Sequence, residues 1–329
     1  MIAQMYEYKP IEWIRTGIPA IDLVVGAGIP RGRFIEVVGE YATAKSAFGY
    51  VVIGAFQRAG GQCILLDSEQ KTDINFAQKM GADMSPGKIG YSKAKNIKEC
   101  VQIIGRVAQQ ADPKTPTLIV WDSIAATPGS EELEDHVSNA EFKGEMASRA
   151  RYFSAAFRAV LNELTQKGVT LIGINQLRTT FNFMGRASQE SSGGKAPKYA
   201  AAVRLRLSNR GKIRHIAADV VTGVTIEVEA IKNTMAPPFR KTTLKFKFDS
   251  GFVHYSGLDE LLLRHGRIQQ KGGWLTYKDK SFHAGDIERI VAEVPELILP
   301  LSGVLDTPPN GEGAPVPVEA ETAAGEDNG

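Results

Sequence analysis

Short, mostly apolar runs alternate with stretches of helical periodicity through most of this chain. The runs fall at 34–38, 63–67, 117–122, 169–174 and 203–207. Helical patterns lie between them at 45–59, 73–80, 96–111 and 145–167. An apolar run without alternation predicts a strand covered on both faces. Such strands separated by helices predict an α/β fold with a doubly wound, mostly parallel sheet. From 212 to 256 the pattern changes to period two, as in Val224-Thr-Ile-Glu-Val-Glu229 and Thr243-Leu-Lys-Phe-Lys-Phe248. That texture predicts antiparallel hairpins. The expected organisation is an N-terminal arm over 1–15, a core over 16–256 and a small α+β module over 257–304. An acidic, disordered tail over 305–329, with no Lys or Arg, completes it.

Composition narrows the function classes only a little. The 329 residues are 43% hydrophobic and 23% charged, with a formal net charge of +2. No global field therefore drives nucleic-acid binding, and any basic surface must be local. Cys63 and Cys100 are too few for a disulfide or metal framework, which favours a reducing, cytoplasmic setting. No apolar run approaches the length of a membrane span, and no secretory leader is expected at the start.

The first chemistry follows the strand at 34–38. Residues Gly39-Glu40-Tyr41-Ala42-Thr43-Ala44-Lys45-Ser46, with Ala47 behind them, match a phosphate-binding loop at every position but one. The second glycine of that pattern is Ala44 here. A strand, loop and helix N-terminus in succession aim backbone N–H groups at a phosphate chain. Lys45 reaches the outer phosphates in such a loop, and the Ser46 hydroxyl ligates magnesium. Alanine is disfavoured at positive φ, so Ala44 is expected to weaken the loop by roughly 1 kcal/mol without abolishing it.

Three further strand ends add candidates. Asp122 closes the run 117–122 and is placed to hold a magnesium shell, although an acid there also suits a helix cap. Glu69 follows the run 63–67 and could position a water for attack, where a solvated surface acid fits as well. Asn175 and Gln176 follow the run 169–174 and could sense a terminal phosphate. The stretch after them, 178–198, is Gly- and Ser-rich and carries Arg178, Arg186, Gly193, Gly194, Lys195 and Lys198. It suits contact with single-stranded nucleic acid, and equally a plain mobile loop.

In order along the chain, these segments resemble the RecA family of homologous recombinases from about Thr16 to Trp274. Thr16-Gly-Ile-Pro-Ala-Ile-Asp-Leu23 resembles the family's opening segment, and Asp67-Ser-Glu-Gln70 its Asp-Ala-Glu-His. Trp121-Asp-Ser-Ile-Ala-Ala-Thr-Pro128 and Ile174-Asn-Gln-Leu-Arg178 resemble two further family motifs. Ser192-Gly-Gly-Lys-Ala-Pro-Lys198 resembles the end of the second DNA-binding loop. The resemblance implies Glu69 as the catalytic glutamate and Gln176 as the γ-phosphate sensor. It implies Asp73 and Phe76 near the adenine, Tyr255 on the other face of the base, and Lys232 acting on a neighbouring protomer's ATP. It places a first DNA-binding loop at 131–143 and puts Arg151 and Arg158 on the DNA backbone. ATP and Mg2+ are the implied cofactors. Single- and double-stranded DNA are the implied partners, with self-assembly into a helical filament and a single-strand-binding protein or loader as accessory.

The chain also departs from the family. The long N-terminal helix is expected to be missing, with only Met1 to Lys9 in its place. The second trans-acting lysine is Thr234, and Ala44 stands in the phosphate loop. Phage recombinases share a replaced loop glycine and an acidic tail, which points to a phage-type member. A non-hydrolysing mediator is the main rival reading, and a helicase- or clock-type ATPase a weaker one.

Overall fold

The computed structural model describes residues 10–128, 157, 159–181, 187–191, 196–215 and 219–301. The strands are β1 (Trp13–Ile14), β2 (Ile29–Pro30), β3 (Phe34–Gly39), β4 (Gln62–Asp67), β5 (Gly90–Ser92), β6 (Thr117–Asp122), β7 (Val169–Phe181) and β8 (Ala187–Ser191). They continue with β9 (Val203–His215), β10 (Val220–Asn233), β11 (Lys241–Lys247), β12 (Gly251–Phe252), β13 (Gln269–Lys271), β14 (Trp274–Tyr277) and β15 (Lys280–Phe282). The helices are α1 (Pro19–Val25), α2 (Lys45–Arg58), α3 (Ile74–Lys79), α4 (Ile97–Gln110), α5 (159–167), α6 (Ala196–Ala200), α7 (Leu258–Arg264) and α8 (Ile287–Glu293).

One large sheet runs in the order β12-β11-β10-β9-β3-β7-β6-β4-β5. Every pair from β9 to β5 is parallel. The β9-β10-β11-β12 wing is antiparallel. This is the predicted class, and its cause is visible in burial. All of Phe34–Gly39 is buried, as a central strand covered on both faces requires. Helix α2 is buried along nearly its whole length, which explains its lack of a polar stripe. Helix α4 instead buries one face, Ile97, Cys100, Val101, Ile104 and Ala108, and Asn96 caps it by accepting from the Glu99 N–H at 2.9 Å.

Two apolar clusters cover the two faces of the sheet. One joins α1, α2 and the wing to Leu258, Leu261, Leu275, Phe282 and Leu297 beyond it. The other packs α4, Trp121 and Phe157 against Phe34, Leu171 and Leu66. Beside α7 and α8, β13-β14-β15 form a separate antiparallel sheet. Buried Asp22 on α1 accepts from the Thr16 N–H at 2.9 Å and its hydroxyl at 2.7 Å, which ties the chain leaving β1 to α1. Burial pushes the Asp22 pKa up from 3.8 to about 6, against the pull of the Thr16 bonds.

Two boundaries differ from expectation. Strand β9 was predicted to end at 207 but runs to His215, because its polar half is zipped to β10 across two of that ladder's three register shifts. That half is exposed and shows no alternation to read. The start of the stretch expected as a loop, 178–198, continues β7 to Phe181 and returns as β8, with Leu177 opposite Ser191 and Phe181 opposite Ala187. The arm at 1–9, the loop at 131–143, Arg151, Arg158, Arg186, Gly193, Gly194, Lys195 and the tail lie outside the described residues.

Candidate functional site

Parallel register brings the candidates to one edge. Gly39 at the end of β3 lies opposite Gln176 on β7, and Asp67 at the end of β4 lies opposite Asp122 on β6. The carboxyl ends of four strands therefore face one crevice, the usual ligand position in such sheets.

The phosphate loop bridges β3 and α2. At Gly39 a Cβ would stand 2.4 Å from the Leu207 carbonyl oxygen and 2.6 Å from Thr43 Oγ1, so the close approach requires glycine. Ala44 occupies the helix N-cap at φ 59°, ψ 27°, the left-handed region expected from the missing glycine. Ala42 is also left-handed, at φ 54°, which the sequence did not announce. Lys45 is buried, and its Nζ donates to the Glu40 carbonyl at 2.5 Å and to Thr43 Oγ1 at 3.4 Å. Burial lowers the Lys45 pKa, while Asp122, Glu69 and Glu40 pull it back toward the charged form.

Asp122 faces the same loop and accepts a hydrogen bond from Ser46. Burial raises its pKa to about 6; Glu69 and Asp67 add to the rise, and Ser46 and Lys45 oppose it. Its peptide to Ser123 is cis. Glu69 Oε1 accepts from Ser123 Oγ at 3.0 Å and from Gln176 Nε2 at 3.4 Å, and Oε2 lies 3.3 Å from Lys71 Nζ. Asp67, two residues earlier, is pushed up by burial. The Thr72 and Tyr91 hydrogen bonds more than offset that and hold it below the ordinary carboxylate range.

These groups line a cleft of about 310 Å³ whose polar end is the loop, Glu69, Asp122 and Gln176. Its apolar end is Phe76, Val224, Phe246 and Phe248, and exposed Tyr41 stands at its rim. The size and division suit a nucleotide, with base at one end and phosphates at the other.

Not every predicted residue reaches it. Asp73 caps α3, accepting from the Asn75 and Phe76 N–H groups, and so orients Phe76 rather than lining the cleft. Tyr255 lines a different hollow with His254 and Ser256, because the turn after β12 carries it away. Lys232 on β10 donates to the Tyr199 and Lys198 carbonyls at 2.8 and 3.3 Å, closing the end of α6. Arg178 lies opposite Glu190 in the β7-β8 ladder, and Lys198 is exposed on α6.

Asn175 points the other way from Gln176. Its Nδ2 donates to Glu36 Oε1 at 2.9 Å, and its Oδ1 accepts the Gln176 N–H at 3.0 Å. Glu36 Oε2 in turn meets Arg204 Nε at 2.5 Å, all three side chains being buried. The sequence reading overlooked this triad and also Ser123, Val224, Phe246 and Phe248. A lone acid inside the run 34–38, and a lone arginine in Val203-Arg204-Leu205, were the available signals. For the phenylalanines the signal was period two, which puts Leu244, Phe246 and Phe248 on one strand face.

The family model described as the RecA N-terminal domain matches residues 2–253. The chain belongs to the RecA family. Among curated relatives, Protein RecA of Streptomyces ambofaciens is 32% identical over 283 residues, covering 84% of this chain and 72% of that protein. Protein RecA of Rubrobacter xylanophilus is 29% identical over 292 residues, 86% of this chain and 80% of the relative. Protein RecA of Acinetobacter baylyi is 27% identical over 300 residues, covering 90% and 83%. The RecA match thus spans the sheet, the phosphate loop and the three other strand ends that meet it. Among the described residues no helix is long and apolar enough to cross a membrane.

Proposed function

We propose that this RecA-family chain is an ATP-dependent recombinase that polymerises on single-stranded DNA and drives homologous pairing and strand exchange, hydrolysing ATP faster when DNA is bound. The observation that carries this reading is the convergence of Lys45, Ser46, Asp122, Glu69 and Gln176 on one cleft. The residues fit a magnesium nucleotide. Gly39 lets the loop pack closely at its start. Buried Lys45 donates to the Glu40 carbonyl and Thr43 hydroxyl, with Asp122, Glu69 and Glu40 acting on its charge, and Ser46 and Asp122 form an oxygen donor pair. Bound Mg·ATP would supply the phosphoryl group and neutralise charge developing on its oxygens.

The chain's own groups then have separable tasks. Loop N–H groups and Lys45 would hold the phosphates, the amine exchanging the Glu40 carbonyl for phosphate oxygens. Ser46 would ligate the cation, and Asp122 would support its shell. Glu69, fixed between Ser123 and Gln176, would orient a water and take its proton. Gln176 sits where β7 leaves the site for the 178–198 stretch, so its contact with Glu69 supports a sensor role. Lys232, Lys198 and the arginines at 151, 158, 178 and 186 belong to this proposal as inter-protomer and DNA contacts. So do a cytoplasmic setting, a single-strand-binding or loader partner, and the phage-type assignment drawn from Ala44 and the acidic tail.

A mediator that binds DNA with little hydrolysis is favoured by one feature. Thr234, where a second lysine was expected, is engaged with its own chain through the Ala202 carbonyl. The deciding measurement is ATP turnover with and without single-stranded DNA for the parent and Glu69→Ala. DNA-stimulated turnover that Glu69→Ala abolishes supports the recombinase; DNA binding with no turnover in either supports the mediator.

A further inference from the structure

Beneath the Glu69 loop lies a largely buried polar cluster, most of which stands outside the cleft, Ser123 being its link to it. Trp121, fully buried on β6 beside Asp122, donates from Nε1 to Thr127 Oγ1 at 2.8 Å and to Ser68 Oγ at 3.2 Å. Thr127 Oγ1 shares a 2.7 Å hydrogen bond with Ser68 Oγ and donates to the Ser123 carbonyl at 2.8 Å. The Cys100 thiol packs into the same cluster against Ser68 and Thr127, its pKa pushed up to about 12 by burial. Ser123 Oγ receives the Ala126 N–H at 3.2 Å and donates to Glu69 Oε1 at 3.0 Å. The backbone adds one tie, Ser68 N–H to the Asp122 carbonyl at 2.9 Å.

The cluster therefore grips both strand-end loops at their roots. Ser68 adjoins Glu69, and Thr127 holds the carbonyl of the residue whose hydroxyl holds the Glu69 carboxylate. We infer that Trp121, Ser68 and Thr127 form a positioning clamp that fixes Glu69 at the distance its water requires. None of the three lines the cleft, so the clamp acts through Glu69 and Ser123. This rests on the assignment of Glu69 above. A misplacement of about 1 Å at such a group costs on the order of a hundredfold in rate. A clamp loosened at one member costs part of that.

The test uses the full chain with Thr127→Val, which keeps the shape and removes the hydroxyl, together with Thr127→Ser, which restores it, and Trp121→Phe. DNA-stimulated kcat should fall by about tenfold or more in Thr127→Val, with KM for ATP within about twofold, and return in Thr127→Ser. Trp121→Phe should move kcat in the same direction. Independently of activity, backbone amides over 66–73 and 122–127 in the nucleotide-free chain should exchange about tenfold faster in Thr127→Val. Parent-like kcat, parent-like exchange or failure of Thr127→Ser to rescue overturns the clamp. A parent without turnover overturns the ATPase reading instead, and the exchange measurement then decides whether the clamp exists.

Discussion

Removing Arg204 should cost far more than one surface arginine, and its cost should depend on Glu36. Glu36 is 0% exposed on the central strand, 2.5 Å from Arg204 Nε and 2.9 Å from Asn175 Nδ2. Arg204→Met leaves a buried carboxylate with no compensating charge among these partners, a change worth about 3–5 kcal/mol. Glu36→Gln strands the guanidinium in the same setting and should cost a comparable amount. In the double variant neither charge remains, so the loss should stay near that of one single rather than reach their sum. The expected coupling is about 3 kcal/mol, well above the roughly 0.5 kcal/mol scatter of independent sites. Urea unfolding of the four chains measures it, with Arg204→Gln standing in if the methionine variant does not fold. Additive losses within that scatter would refute the triad as a unit. The cycle also bears on the cleft, because Asn175 links Glu36 to the Gln176 N–H.

Two more predictions test the loop and the titration of the core. Ala44→Gly removes a left-handed alanine strained by about 1–2 kcal/mol, offset by about 0.4–1 kcal/mol of added unfolded-state entropy. Urea unfolding should show a net gain of up to about 1 kcal/mol, and a loss of that size would show the loop unstrained. Asp22 has a folded pKa of about 6 against an ordinary 3.8, so its contribution is fully present below that ordinary value and is lost as pH rises through about 6. Stability at about pH 5 and at about pH 7.5 should differ by about 1.4 kcal/mol more in the parent than in Asp22→Asn. Equal differences in the two chains would remove Asp22 as the cause.

The parallel half of the sheet was legible because its strands are covered on both faces, and such strands announce themselves as mostly apolar runs. Lys45, Ser46, Asp122 and Glu69 were legible for a related reason: each follows or ends one of those runs. What escaped was set by partners distant in sequence. The polar half of β9 is a strand only because β10 pairs with it, and the turn that carries Tyr255 away from the cleft has no periodic signature. Asn175 and Gln176 are adjacent, yet alternation along β7 sends one to Glu36 and the other to Glu69. Their neighbours, rather than their own residue type, decide which of them faces the ligand.

The cleft draws its two walls from parts of the sheet built by different rules. Its phosphate wall comes from parallel strand ends fixed by the central core, and its apolar wall from Val224 on β10 and Phe246 on β11, in the antiparallel wing. The hydrogen bonds of Lys45 and Glu69 go to Glu40, Thr43, Lys71, Ser123 and Gln176, none of them on the wing. Under the proposed function, base preference and phosphate chemistry would therefore rest on separate strands and could change independently of one another.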